Sequence, residues 1–289
     1  MDNRLKHFVK KSVNQYLEAR DLKFHGPLPI GLERTHLRTV RASSRYFATV
    51  KADGHRCLCF IFRYFFDNAW RRMVALWDRA GDVYILPKCI FADVYYDGSV
   101  LDTELMCTNL LVFDCYATRD VTIVHQKLQD RLRHIKTMLE TASTPIPISL
   151  KEYACLAQPT NVLSATFASD GIVIVNAGPL HSIQYKWKPN HTVDLQVVYN
   201  EDGIVLCTSD NDVLQKVEES ELPQFEYGAH RIVECDIQLN PLRFKPMSAR
   251  SDKLTANTRM TVDATVKCVD EAIEMHELFQ LPIRRVRRC

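Results

Sequence analysis

Thr49 to Cys57 reads TVKADGHRC: a lysine, one spacer, an aspartate and a glycine, with an arginine two residues on, all between apolar runs. Taken alone, the stretch fits a surface lysine at a strand end, before a type I′ turn at Asp53-Gly54. It also fits a nucleophile that the turn holds in place. The rest of the chain decides between the two.

Working outward, the segment from Tyr46 to Phe113 consists of short β-rich runs, YFATV, LCFIFRYFF, RMVALWDR, DVYIL and NLLVF. Turn signals punctuate them at Asp53-Gly54, Gly81-Asp82 and Asp97-Gly98. This pattern predicts a twisted antiparallel sheet. Before it, Leu5, Phe8, Val9, Val13, Tyr16 and Leu17 recur at helical spacing, and the helix should stop ahead of Gly26, Pro27 and Pro29. After it, Val124, Leu128, Leu132, Ile135 and Leu139 mark a second amphipathic helix, followed by the runs ATFAS, GIVIV and YKWKP. Beyond Pro189 the texture becomes all-β, with TVDLQVVY, GIVLCTS, HRIVECDIQ and LRFKPMS as four or five short strands of a small barrel such as an OB-fold. Val262, Val266, Val269, Ile273 and Leu278 share one face of a last helix, capped by Thr261, ahead of the basic tail RRVRRC. That tail could hold RNA phosphates or a partner protein, or simply fray.

Composition narrows the class. The 289 residues suit one large or two modest domains, and a net charge of +2 excludes binding of nucleic acid by bulk charge alone. The ten cysteines contain no CxxC pair, so neither a zinc site nor a disulfide framework is predicted, and a reducing, intracellular setting (nucleus or cytoplasm) is expected. No apolar run nears the ~18 residues of a membrane span. P-loop, nucleophile-elbow and HExxH motifs are all absent.

Six elements recur in order along the chain: KADG at 51–54, LDTEL at 101–105, LVFDC at 111–115, DGIVIV at 170–175, YKWKP at 185–189 and RSDKLTAN at 250–257. In that order they resemble the covalent nucleotidyltransferases, the DNA ligases, RNA ligases and mRNA capping guanylyltransferases. YKWKP and RSDKLTAN look most like the capping branch. The resemblance runs from about Phe47 to Val262. It implies an α+β chain, with an antiparallel-sheet, ATP-grasp-like nucleotidyltransferase domain over residues 1–189 and an OB-fold lid over 190–261. The terminal helix, 262–289, is expected to pack back on the first domain.

The chemistry implied is transfer of GMP from GTP, through a covalent lysyl-GMP on Lys51, to the 5′-diphosphate end of RNA. By resemblance, Arg56 and Glu104 contact the ribose and Phe113 stacks on guanine. Lys151, in IPISLKEY, reaches the guanine O6, and Arg79 belongs to an Asp-Arg pair ahead of LDTEL. Asp170 and Glu104 place a Mg²⁺ or Mn²⁺ ion. Arg250, Asp252 and Lys253 orient the β and γ phosphates. Lys186 and Lys188, two apart on a strand, share a face and have the sign needed to ease deprotonation of Lys51. That help matters, because a free lysine is neutral in only about one molecule in 2,500 at pH 7, a cost of ~4.6 kcal/mol. Asp102 lies on one strand face with Glu104, while Thr103 stands where the family has glycine, which bears on how closely backbones can approach there. An ATP-dependent RNA or DNA ligase is the alternative enzyme, and a catalytically silent RNA-binding relative the alternative of another class. A separate RNA triphosphatase and cap methyltransferase are the expected partners.

Overall fold

The structure, a computed structural model, describes residues 3–19, 26–78, 80–156, 167–201, 203–225, 230–251 and 253–279. The chain divides into two compact units, Met1–Ile30 with Val40–Lys186, and Gly31–Thr39 with Trp187–Gln280. The boundary thus falls inside YKWKP, just before the expected 189/190.

In chain order the elements down to that boundary are α1 (Asn3–Glu18), β1 (Ile30–Gly31), α2 (Arg34–Arg41), β2 (Tyr46–Ala52), β3 (His55–Phe66), β4 (Ala69–Asp78), β5 (Val83–Ile85), β6 (Ser99–Leu105), β7 (Leu110–Thr118) and β8 (Val121–Thr122). They continue with α3 (Leu128–Leu139), β9 (Ile148–Leu150), β10 (Ala154–Cys155), β11 (Ser169–Asn176) and β12 (Tyr185–Trp187). Strands β5-β4-β3-β6-β7-β8 form one antiparallel sheet, with β9 added in parallel beside β7. Alternation along β3 explains why its middle, Cys57–Phe62, is an unbroken apolar run. Leu58 and Phe60 pack under Val9 and Val13 of α1. Cys57, Cys59 and Ile61 pack on the other side with Ile135 and Met138 of α3. A strand covered on both faces has no polar positions to spare.

The expected single sheet is two. β2 belongs to a separate sheet of order β1-β12-β11-β2-β10, so Asp53-Gly54 closes no hairpin and instead carries the chain from one sheet to the other. Gly54 is not among the glycines at positive φ, and a type I′ turn is therefore not what selects it. Close approach is. A Cβ there would fall 2.5 Å from the Met106 sulfur and 2.7 Å from the Leu105 carbonyl oxygen.

α3 holds a residue that its apolar spacing conceals. Arg131 is fully buried among Leu128, Ile135 and Met138. Its Nε and Nη2 donate to the two Asp114 oxygens at 2.7 and 2.9 Å, and its Nη1 donates to the carbonyls of Gln126 and Gly178. Burial pushes the Asp114 carboxyl up from the usual carboxylate value, against the opposing pull of Arg131.

The second unit is built on β13 (Thr192–Asn200), β14 (Gly203–Cys207), β15 (Val213–Val217), β16 (Ile232–Gln238) and β17 (Arg243–Ala249), followed by α4 (Arg259–Glu271) and α5 (Met275–Leu278). The sheet order β15-β14-β13-β16-β17 is that of an OB-type barrel opened between its third and fifth strands. The Gln215 side chain bridges that opening. Its Nε2 donates to the Phe244 carbonyl at 3.0 Å and its Oε1 accepts from the Phe244 N–H at 2.8 Å.

The last helix differs from expectation. Val262 lies in the barrel core with Val193, Leu195 and Phe244, so α4 belongs to the second unit. The reason is its apolar face, which completes the barrel core that the short strands leave unfilled. Its cap is Thr258, whose Oγ1 accepts from the Thr261 N–H, and not Thr261. The helix ends at Ala272, in the left-handed region, before α5 resumes. Two ion pairs, Lys267 with Glu33 at 2.6 Å and Arg34 with Glu277 at 2.8 Å, fasten residues 31–39 to α4 and α5.

Candidate active site

Lys51 sits near the end of β2, with Gly171 of β11 as its cross-strand partner. The register slips between Ser169 and Gly171, which makes Asp170 a bulged residue. The bulge brings the Asp170 carboxylate to 2.7 Å from Lys51 Nζ. Both side chains remain about a quarter exposed, at 27% each, so a ligand can reach them.

The second sheet supplies the facing residues. Arg56 of β3 and Glu104 of β6 are direct cross-strand partners. The Arg56 guanidinium donates from Nε and Nη2 to Asp102 at 3.0 and 2.6 Å, and Tyr116 Oη donates to the same carboxylate at 3.0 Å. Desolvation works against the Arg56 charge, but the Asp102 carboxylate outweighs it and holds the group above the ordinary arginine value. Gly26 covers this cluster at close range, since a Cβ there would lie 2.0 Å from the Tyr116 hydroxyl.

β7 carries two bulges against β6, one skipping Tyr116 and one skipping Phe113. The first aims Tyr116 at Asp102. The second leaves the Phe113 ring close to two cations, with the Arg56 guanidinium carbon 5.3 Å and Lys151 Nζ 5.5 Å from its centroid. Desolvation brings the Lys151 ammonium down to about 8, with Glu104 opposing. Desolvation likewise raises the Glu104 carboxyl, opposed by Lys151 and Lys51. The Gly54 N–H donates to Glu104 at 3.3 Å, so the sheet-switching turn also touches this cluster.

Thr103, the departure from the family pattern, does no harm here. Its side chain is buried on the other side of β6, where Oγ1 donates to the Cys57 carbonyl at 2.7 Å and clips β6 to β3 beneath Arg56.

The second unit gathers its own predicted residues. Arg250 Nη1 donates to Asp194 at 2.9 Å, Lys253 Nζ lies 3.5 Å from the same carboxylate, and the Asn257 side chain accepts from the Asp194 N–H at 2.8 Å. Trp187 points into this unit, donating to the Ile273 carbonyl at 2.7 Å, as the alternation of YKWKP predicts. Lys186 lies in the first unit and Lys188 in the second, whose segment begins at Trp187. Arg79 and Asp252 lie outside the described residues, as do RRVRRC and the first two residues of ATFAS, Ala165 and Thr166. Sequence reasoning gave no role to Asp194, Tyr116 or Tyr153. For Asp194 a signal existed, because a carboxylate in the apolar strand TVDLQVVY has to be paired.

Residues 2–222 match the mRNA capping enzyme catalytic domain, and residues 172–279 match the mRNA capping enzyme C-terminal domain. The chain belongs to the mRNA capping enzyme family. That family is a nucleotidyltransferase family, and its two matched domains support the guanylyltransferase function over the ligase alternative. The mRNA-capping enzyme subunit alpha of Yarrowia lipolytica (strain CLIB 122 / E 150) is 21% identical over 94% of this chain and 85% of that protein. Among solved structures, Pmar-Lig_PreS3 is 15% identical over 80% of this chain and 61% of its own, with a TM-score of 0.36. An ATP-dependent DNA ligase from bacteriophage T7 in complex with ATP is 10% identical over 67% of this chain and 81% of its own, with a TM-score of 0.35. These two likenesses add nothing to the fold already described. No described helix is long and apolar enough to cross a membrane.

Proposed function

We propose that this capping enzyme uses GTP, and that Lys51 is its nucleophile. The observation that carries the reading is the convergence of Lys51, Asp170, Arg56, Glu104, Phe113 and Lys151 where the chain switches sheets. The neutral Lys51 amine attacks the α-phosphorus, the bond to pyrophosphate breaks, and the nitrogen loses a proton as the phosphoramide forms. The 5′-diphosphate of RNA then displaces Lys51 and takes the GMP. Arg56, fixed by Asp102, holds the ribose together with Glu104. Phe113 stacks on the base and Lys151 faces its O6, the polar difference between guanine and adenine.

Asp170 and Glu104 fit a divalent ion. They are hard oxygen donors, and burial has already made the charge on Glu104 costly, which a cation would relieve. Mg²⁺ or Mn²⁺ held by them would neutralise phosphate charge. Arg250 and Lys253, steadied by Asp194, are assigned the β and γ phosphates. 5′-Diphosphate RNA is the acceptor, and a triphosphatase that produces it and a methyltransferase that acts on the cap are proposed as separate partners.

Incubation with Mg²⁺ and α-labelled GTP or ATP, followed by a denaturing gel, tests the nucleotide. Label from GTP far exceeding that from ATP is expected; label from ATP alone would give the ligase reading. Arg250→Ala and Lys253→Ala should each slow adduct formation from GTP at least about tenfold while the chain stays folded, with a lower melting temperature for Arg250→Ala because Asp194 loses its direct partner. Unchanged adduct kinetics in both would remove these residues from the leaving-group site.

A further inference from the structure

We propose that Tyr153 is a positioning residue for the base slot, setting the spacing between Lys151 and Phe113 and with it the preference among purine nucleotides. The proposal rests on the reading that these two residues hold guanine.

The β6–β7 register passes from Asp102 opposite Asp114 to Thr103 opposite Val112, skipping Phe113. A bulged residue depends less on the ladder for its orientation than its neighbours do. The Phe113 carbonyl accepts a hydrogen bond from Tyr153 Oη at 2.7 Å, which ties the bulge to the segment that bears Lys151. That segment is stitched one residue earlier as well, where the Lys151 N–H donates to the Val112 carbonyl at 2.8 Å and Leu150 pairs with Val112. Val112 and Phe113 of β7 are therefore tied to Lys151 and Tyr153 in the segment that follows β9. The two ties frame the 5.5 Å gap between the Lys151 ammonium and the Phe113 ring. Desolvation, with Asp114 and Asp102 adding to it, pushes the Tyr153 hydroxyl well above its ordinary value, so it stays a donor throughout the working pH range. Without the hydroxyl, the backbone tie at Val112 keeps the strand in place, while the bulge and its ring are released.

The effect should fall on nucleotide binding and not on chemistry, because Tyr153 touches the Phe113 backbone and not Lys51. Tyr153→Phe, made in the full chain, removes one oxygen and keeps the ring. Expected is a KM for GTP raised about tenfold in adduct formation, a maximal rate within about twofold, and a reduced GTP-over-ATP ratio of kcat/KM. The melting temperature should fall by only about 2–4 °C. Lys151→Met, measured beside it, should lower the same ratio through loss of the O6 contact. If Lys151→Met lowers the ratio while Tyr153→Phe leaves the KM for GTP unchanged, the positioning role is overturned and the base-slot reading stands. If Lys151→Met leaves the ratio unchanged, the base-slot reading is overturned and the proposal with it. A Tyr153→Phe variant that loses maximal rate at constant KM also overturns it.

Discussion

Lys51→Ala is expected to abolish the covalent nucleotide adduct, lowering its rate of formation by more than about 10³-fold, below detection on a labelled gel. The size of the effect follows from the chemistry: the nitrogen is the atom that forms the bond, and the alanine methyl offers no substitute. Lys151, the other lysine of the cluster, lies against the Phe113 ring and is committed to Glu104 and the base slot. The fold should survive, because Asp170, the carboxylate left behind, is 27% exposed and can be hydrated. Lys51→Arg sharpens the test. It keeps the positive charge beside Asp170, but a guanidinium does not give up its proton near neutral pH. An adduct that persists in either variant removes Lys51 from the role of nucleophile.

Arg131→Met should be the most destabilising single change in the first unit, at about 3–5 kcal/mol, read as a shift of the urea midpoint. Methionine fills the same apolar space but leaves Asp114 buried with no cation, and leaves the carbonyls of Gln126 and Gly178 without their donor. The loss should depend on pH in a definite direction. Asp114 already titrates above the ordinary carboxylate value, and without Arg131 it will do so further, so the folded variant holds a proton that the unfolded chain has released. Its stability is then fully present below the unfolded value, near pH ~4, and declines as pH rises through the folded one. The variant should be distinctly less unstable at pH 5 than at pH 8. Adding Asp114→Leu should return most of the loss, since replacing both partners removes the orphaned charge. A single variant within about 1 kcal/mol of the parent would show that Asp114 escapes to water.

The two residues differ in how visible they were in the sequence. Lys51 was legible because a short motif carries it and five further motifs follow in fixed order. The strands were legible too, since β3, β7 and β13 are long apolar or alternating runs whose period is unambiguous. Arg131 was hidden because a helical apolar stripe says which face is buried and not which charges it tolerates. Its partner lies 17 residues away, in another element. The grip of Asp102 on Arg56 joins residues 46 apart, and that of Asp194 on Arg250 joins residues 56 apart. Such pairings are fixed by sheet order and register, which no local pattern encodes. The bulges at Phe113 and Tyr116 were equally hidden, because strict alternation would place Phe113 and Cys115 on one face and Asp114 and Tyr116 on the other. The turn at Asp53-Gly54 shows the remaining gap. Its residues announce a reversal but not that the chain leaves one sheet for another.

Gln215 does the work of a missing strand residue, with a consequence for which side chains the position can accept. A β-ladder contact presents a donor and an acceptor side by side, and the backbone of Phe244 offers the complement of both. Asparagine and glutamine are the side chains with that pair on one planar group, and only glutamine matches the present reach. Glutamate would meet the N–H but set a carboxylate oxygen against the carbonyl; leucine would meet neither. The seam of the barrel is therefore chemically selective, although it is made by one side chain, and a single carbon of length decides whether it stays shut.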